Sequence, residues 1–397
     1  MKVCIFTETY FPEMGGGETQ AQLLANGLIA GGHSVIVLTR RSNRAFQRVE
    51  RYGELTVHRL SPSGAGQLKK WGLLLTAIPA LFRLRREYDL VFVSGYRIVG
   101  AAAVLACRFL GKGCVLKADS QGEMSGAFFE SGLNRFGISR ASVLFRLFLS
   151  LRNRLLRKAD AFVAISPEIA DEISLGGVPA TRIHRIPNAV DTVRFHPVDA
   201  AGKVSQRLKL GIDASAYVAV YTGRLVSYKG LPLLLSVWNE ISRKVPDALL
   251  LLVGTGGLDI HNCEQELKDY VRDHDLEKHV RFTGSVPNVH EFLQASDLFV
   301  FPTRNDAFPS SLIEAMACGL PVIATPVGAI TTIVSDGENG MLIPVGDPRS
   351  LSKAIERLRM EPDLATHLAA NAIKSVTANY TAEIVTRQYS RLFESVI

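Results

Sequence analysis

Apolar residues in this chain come in short, nearly continuous runs, and the stretches between them are polar turns followed by helical periodicity. Val3–Phe6 is the first such run; it leads into Gly15-Gly16-Gly17 and an amphipathic helix near Glu18–Ala30. The runs His33–Thr39, Leu90–Val93, Gly113–Lys117, Ala161–Ile165 and His184–Pro187 follow. Strands this short, apolar throughout and alternating with helices, predict a parallel sheet covered on both faces.

The pattern then stops and starts again. Asn188–Pro197 is polar, and beyond it come Tyr217–Tyr221, Ala248–Val253, Val280–Phe282, Leu298–Phe301, Pro321–Ala324 and Gly340–Ile343. A chain of 397 residues exceeds what one core usually supports. Two tandem α/β domains are predicted, 1–195 and 196–380, with a closing helix in 381–397 that packs back across the interface. In open sheets of this kind ligands gather at the carboxyl ends of the strands, which places the expected site in the cleft between the domains.

Composition narrows the class only slightly. Apolar residues make up 47% and charged residues 21%, as in ordinary globular proteins. The five cysteines, Cys4, Cys107, Cys114, Cys263 and Cys318, form no CxxC pair, and a reducing, cytoplasmic compartment is expected. The apolar run at the amino terminus is too short for a signal-peptide core, and Pro79, Arg108 and flanking charges break the longer ones, so no membrane span is expected. Charge is uneven. Residues 1–195 hold 26 Lys and Arg against 15 Asp and Glu, a balance of +11, and the remainder carries −4 of the net +7.

Two segments carry chemistry. Gly223-Arg224-Leu225-Val226-Ser227-Tyr228-Lys229-Gly230 follows a buried strand, so Arg224 and Lys229 emerge at its carboxyl end. An Arg fork and a Lys point charge on one short loop suit a diphosphate; the plain alternative is a solvated basic loop. Pro302–Ala317 ends a strand, turns through a Ser/Pro loop and starts a helix near Ser310. The start of a helix offers free N–H groups and a positive dipole end to phosphate. Glu314, one turn in, can accept from two ribose hydroxyls; the competing reading is a capping box of Ser311 with Glu314.

Taken together these segments resemble the family 4 retaining glycosyltransferases of GT-B fold, which carry G-R-L-x-x-x-K-G and then an acidic-x7-Glu segment running into E-A-M-A-x-G-x-P-V-I-A-T. Here they read Gly223-Arg224-Leu225…Lys229-Gly230 and Glu314-Ala315-Met316-Ala317-Cys318-Gly319-Leu320-Pro321-Val322-Ile323-Ala324-Thr325. Arg281–Gly284, Ala295–Leu298 and Asp336–Gly340 extend the match, as do Gly15–Glu18, Ala164–Ser166 and Ile186–Asp191 in the first half. The resemblance implies an α/β GT-B architecture, two Rossmann-like domains with parallel sheets facing across a cleft. It implies that Arg224 and Lys229 neutralise the leaving diphosphate and Glu314 holds the ribose. Backbone at Ser310, Ser311 and Leu312 would donate to phosphate and sugar, Gly16 and Gly17 to the diphosphate, and backbone near Val286 would read the base.

Two positions depart from the family. Asp306 stands where the first acidic residue is usually Glu, a shorter arm toward the donor sugar. Where many relatives place a His, this chain offers Asp119, with Glu123 nearby, as the carboxylate beside the reacting carbon. The expected activity is retaining transfer of a sugar from a UDP or GDP sugar to a glycan or lipid-linked acceptor, in bacterial surface polysaccharide or glycolipid synthesis. An epimerase, a phosphorylase or a non-catalytic nucleotide-sugar-binding subunit are the alternatives within the fold. No metal and no cofactor are expected: Asp273-His274-Asp275 reads as solvated surface, the histidines show no ligand spacing, and Gly254-Thr255-Gly256-Gly257 is a tight turn rather than a dinucleotide motif.

The positive charge of the first half concentrates in residues 132–159 and 69–86. The former interleaves Arg135, Arg140, Arg146, Arg152, Arg154, Arg157 and Lys158 with Leu and Phe, and the latter runs from Lys69-Lys70-Trp71 to Arg83-Leu84-Arg85-Arg86. Basic amphipathic helices of this kind suit an anionic membrane surface, here the inner face of the cytoplasmic membrane. The plain alternative is core-facing apolar residues with solvated Arg. No recognition motif or stacking array points to nucleic acid.

Overall fold

The computed structural model describes residues 1–13, 15–64, 67–129, 142–257 and 259–397, without the side chains of 67–71. They form two compact units, Met1–Ala189 joined by Ala382–Ile397, and Val190–Thr381. The division falls at Ala189/Val190, ahead of the expected residue 195. The reason is local. The Gln20 side-chain amide pairs with the backbone of Ala189, donating to its carbonyl at 2.8 Å and accepting from its N–H at 2.7 Å. The next residue belongs to the other unit, its N–H bonded to the Tyr380 carbonyl at 2.8 Å.

The first unit is built on an eight-stranded sheet. Its strands are β1 (Lys2–Thr7), β2 (Ser34–Arg40), β3 (Val49–Tyr52), β4 (Leu55–Leu60), β5 (Leu90–Ser94), β6 (Gly113–Ala118), β7 (Ala161–Ala164) and β8 (Ile183–Arg185). Their order is β3-β4-β2-β1-β5-β6-β7-β8. Every pairing is parallel except β3 with β4, so one antiparallel hairpin edges an otherwise parallel sheet. That hairpin corrects the reading above, which had neither strand. Its alternation is obscured by a charged residue turned inward: Arg59 is buried and bonded to Glu50 across the hairpin at 2.8 Å.

The closing helix Ala382–Val396 belongs to the first unit. Val385, Tyr389, Leu392 and Phe393 recur at helical spacing and are buried, with Tyr389 and Phe393 packed against Phe92 of β5 at ring separations of 5.2 and 5.4 Å. Burying side chains of this size stabilises by about 1.5–3 kcal/mol each, enough to fix a helix that follows the last strand of the other unit.

The second unit has six strands, all parallel: β9 (Tyr217–Thr222), β10 (Ala248–Val253), β11 (Val280–Gly284), β12 (Leu298–Phe301), β13 (Val322–Ala324) and β14 (Met341–Leu342). Their order is β11-β10-β9-β12-β13-β14. β10 and β12 are buried on both faces, as their unbroken apolar sequences require. Gly254, after β10, has φ 138° and lies so close to the β9 loop that a Cβ would stand 1.9 Å from the Gly223 carbonyl oxygen. The Gly254–Gly257 segment is thus a packing device between two loops.

Replacing Gly254 by Ala is expected to destabilise the protein by about 2 kcal/mol or more, since it adds backbone strain to a clash with main chain that cannot swing away. Urea unfolding of Gly254→Ala against the parent measures it.

Candidate functional site

In the second unit the strand order reverses between β9 and β12: β10 and β11 extend to one side of β9, β12 to β14 to the other. Loops leaving adjacent carboxyl ends at such a point diverge and open a crevice, the usual ligand position in doubly wound sheets. Here the two loops are Gly223–Gly230 and Pro302–Pro309, the two segments singled out by sequence. They are sewn together. Arg304 N–H donates to the Tyr228 carbonyl at 2.8 Å, and Thr303 Oγ1 to the same oxygen at 3.3 Å. Gly230 sits at φ 74°, where a Cβ would be 2.0 Å from the Pro302 carbonyl oxygen, so only glycine fits.

Lys229 and Arg224 share the loop but not an environment. The Lys229 ammonium is nearly enclosed, 2.5 Å from Asp306 Oδ2 and 5.3 Å from the face of Phe301. Arg224 is largely open, its side chain 61% exposed, with one guanidinium nitrogen donating to Tyr228 Oη at 2.8 Å and another paired with Asp259. Sequence reasoning missed Asp259. It lies in the loop after β10, which runs beside the Arg224 loop through Leu225 N–H to Thr255 O at 3.0 Å and Ser227 N–H to His261 O at 2.9 Å. No local signal marks it; only the pairing of the two loops brings it there.

Glu314 stands on the Ser310–Ala317 helix. The capping-box alternative fails, because the N-cap is Pro309 and no side chain caps the helix. Ser310 and Ser311 keep first-turn N–H groups available, whereas Leu312 N–H already donates to Pro309 O at 3.1 Å, so two of the three expected backbone donors remain. The Glu314 carboxylate accepts no hydrogen bond from the described residues. Burial raises its pKa to about 7, with the Arg194 charge acting in the other direction. A desolvated carboxylate with open acceptor capacity is poised to receive hydroxyl donors. Val286 lies between β11 and the Val289–Gln294 helix, partly buried.

The first unit has its own reversal, between β1 and β5. Gly15 caps the Gly16–Ala30 helix after β1, and Gly16 and Gly17 occupy its first turn. A Cβ at Gly16 would meet nothing within 4 Å, and one at Gly17 would lie 3.7 Å from Asp119 Oδ2, so the loop and Asp119 adjoin. Asp119 follows β6; its Oδ1 is 2.7 Å from Lys117 Nζ, and its Oδ2 accepts from Ser94 Oγ at 2.9 Å. A quarter of its side-chain surface (25%) stays open. Glu123 is different. It is fully buried and accepts from the N–H groups of Asp119 at 3.0 Å and Arg97 at 3.1 Å. Burial raises its pKa to about 7, against the lowering influence of Arg97. It fixes the loop, and Asp119 is the carboxylate presented.

The basic stretches divide. Leu144, Leu147, Phe148 and Leu151 form an exposed apolar stripe on the Val143–Leu156 helix, with Arg146 and Arg154 exposed beside them, so the core-facing alternative fails for these residues. Arg152 instead turns inward, donating to the carbonyls of Arg97 at 3.1 Å and Glu123 at 2.9 Å. Arg135 and Arg140 lie outside the described residues, as do the side chains of Lys69, Lys70 and Trp71. Arg83, Arg85 and Arg86 fall at the opposite end of the sheet, near the start of β1, where Lys2 Nζ donates to the Arg86 carbonyl at 3.3 Å. No described helix is long and apolar enough to cross a membrane. Among the described residues no cluster of His, Cys, Asp or Glu is arranged to hold a metal, and all five cysteines are buried and free.

Residues 14–194 match the family model described as Glycosyltransferase Family 4, and residues 203–375 match the one described as Glycosyl transferases group 1. N-acetyl-alpha-D-glucosaminyl L-malate synthase of Bacillus anthracis is 25% identical over 398 aligned residues, covering 98% of this chain and 96% of that protein. The lipopolysaccharide core biosynthesis glycosyltransferase LpsE of Rhizobium meliloti is 30% identical over 240 residues, 60% of this chain and 65% of that one. The crystal structure of Anabaena Alr3699/HepE in complex with UDP-glucose superposes with a TM-score of 0.78 at 18% identity, covering all (100%) of both chains.

Because its folded-state pKa is raised, Glu314 holds a proton that the unfolded chain has lost between about pH 4.5 and 7, so it lowers stability as pH rises through that window. Glu314→Gln removes the effect. Its unfolding free energy should exceed that of the parent at pH 8, by on the order of 1–3 kcal/mol, and approach it at pH 4.5. Urea titrations at the two pH values test this.

Proposed function

The chain belongs to the family 4 glycosyltransferases, and on that premise we propose that it transfers a sugar from a UDP or GDP sugar with retention at the anomeric carbon and without a metal. The unpartnered, desolvated carboxylate of Glu314 carries the reading. It stands in one helix with two open backbone donors and eight residues after the acid that holds Lys229, an arrangement that fits ribose and diphosphate together.

Glu314 accepts from the ribose hydroxyls in this reading, and Ser310 and Ser311 donate to phosphate oxygens. Arg224, exposed and free to exchange Asp259 for phosphate, forks onto the diphosphate, while enclosed Lys229 supplies a fixed charge. These cations stabilise the charge that develops on the leaving diphosphate, the task a divalent ion performs elsewhere. Leucine 312 contributes its position in the helix rather than its N–H. Asp306 engages Lys229 through Oδ2, which leaves Oδ1 for a sugar hydroxyl. In retaining chemistry the departing phosphate oxygen takes the acceptor proton on the same face of the sugar, so the protein orients and stabilises rather than attacks. Gly16 and Gly17 add backbone donors for the diphosphate, the Val286 backbone meets the base, and Asp119 orients the acceptor or shields the cationic centre.

The acceptor is a glycan or lipid-linked sugar of a cell-surface polysaccharide or glycolipid. The relative acting in lipopolysaccharide core synthesis supports this class, and so does the apolar stripe of the Val143–Leu156 helix, flanked by arginines and suited to the anionic inner face of the cytoplasmic membrane.

Arg224→Ala should fold normally, since the side chain is exposed, and bind UDP or GDP about 10- to 100-fold more weakly by calorimetry, the loss expected for a charge-assisted phosphate contact. Unchanged affinity for every nucleoside diphosphate that stabilises the parent in a thermal-shift screen sinks the donor site. Separately, the parent should float with anionic vesicles at low salt and be released by salt, and Leu147→Glu with Leu151→Glu should abolish flotation. A parent that never floats removes the membrane reading and leaves the donor site standing.

A further inference from the structure

One arginine outside every motif holds the loop expected to face the base. Arg194 follows a turn in which Asp191 accepts from three N–H groups: its Oδ1 from Val193 at 3.0 Å and Arg194 at 3.3 Å, its carbonyl from Phe195 at 2.8 Å. The turn is therefore rigid where Arg194 leaves it. Its guanidinium reaches the loop after β11, where Nη2 donates to the Pro287 carbonyl and Nε donates to His290 Nδ1 at 3.2 Å. Phe195 packs edge-on against the same imidazole, with ring centroids 6.1 Å apart. Pro287 is the neighbour of Val286. Holding its carbonyl and the ring three residues on pins the backbone expected to face the base.

The same cation acts on Glu314, where it favours the ionised carboxylate. His290 is held neutral by burial and by this charge, which leaves Nδ1 free to accept. The other titratable groups acting here are Cys318 beside Glu314, and Glu291, His196 and Lys209 around His290.

We infer that Arg194 is a positioning residue for the nucleoside of the donor: its guanidinium fixes the base-facing backbone at Val286 and Pro287. The inference rests on the donor-site reading proposed above. A guanidinium suits the task because its separate N–H groups serve a carbonyl and an imidazole at once, and its charge does not titrate. Lysine supplies the charge without the fork.

The test compares Arg194→Met, Arg194→Lys and Glu314→Gln in the full chain, with UDP, GDP and inorganic pyrophosphate as probes from pH 6 to 9. Arg194→Met should weaken the preferred nucleoside diphosphate about tenfold, raise the donor KM more than it lowers kcat, and leave pyrophosphate binding unaltered. Arg194→Lys, which keeps the charge but not the fork, should lose discrimination between UDP and GDP. Should the Met variant fail to fold, the Lys variant carries the test through that discrimination. A folded Arg194→Met with parental nucleotide affinity overturns the inference while Glu314→Gln still weakens binding. Parental nucleotide affinity in Glu314→Gln overturns the donor-site reading and this inference with it.

Discussion

The close approach of two loops at the β9/β12 reversal sets the terms for everything else in the second unit. Gly230 and the Pro302 carbonyl touch where no side chain fits, and the Tyr228 carbonyl binds the facing loop twice. Once the main chains are fixed so tightly, Lys229 has one place to go, and Asp306 is there. A buried ion pair is a poor source of stability, since desolvation consumes most of the attraction. It is a good way to hold a cation at one point. The site is thus a consequence of backbone contact first and of charge second.

Much of this was legible in the chain. Unbroken apolar runs such as Ala248–Val253 admit only a doubly covered strand, and the closing helix was readable to its ends because Val385, Tyr389, Leu392 and Phe393 keep helical spacing. What escaped were polar residues whose partners are remote in sequence. Arg59 turns inward to Glu50 and disguises a strand, Arg152 turns inward to the Arg97 and Glu123 carbonyls and only imitates a membrane-facing charge, and Asp259 meets Arg224 across two loops. Periodicity assigns charge to the outside by default. A buried arginine with carbonyl or carboxylate partners breaks that rule without leaving a trace in the pattern.

Motifs had the opposite weakness. They located Glu314 but could not separate ribose acceptor from helix cap, because Ser-x-x-Glu serves both. Backbone geometry removes the cap reading and leaves the ribose role as the proposal: the cap is Pro309, which places Glu314 too deep in the helix to reach back to it. Likewise Asp119 and Glu123 are equivalent in sequence, yet one keeps open surface and the other is closed around two N–H groups. Burial distinguished what residue type could not.

The two cations of the loop also divide labour by exposure. Each has a carboxylate partner within the protein, so in the proposed donor site a diphosphate would compete with Asp306 for Lys229 and with Asp259 for Arg224. Parting Lys229 from Asp306 would leave two nearly enclosed charges without partners, whereas Arg224 is open to water and Asp259, though as enclosed as Asp306, keeps the His261 N–H as a donor. The exchange therefore falls on Arg224, and Lys229 with Asp306 persists as one unit that presents positive charge on one side and a free carboxylate oxygen on the other. A shorter acid at position 306 then has a physical use. Its reach matches the Lys229 ammonium, and in the proposed reading what it gives up toward the sugar it would return as a fixed point against which the diphosphate is held.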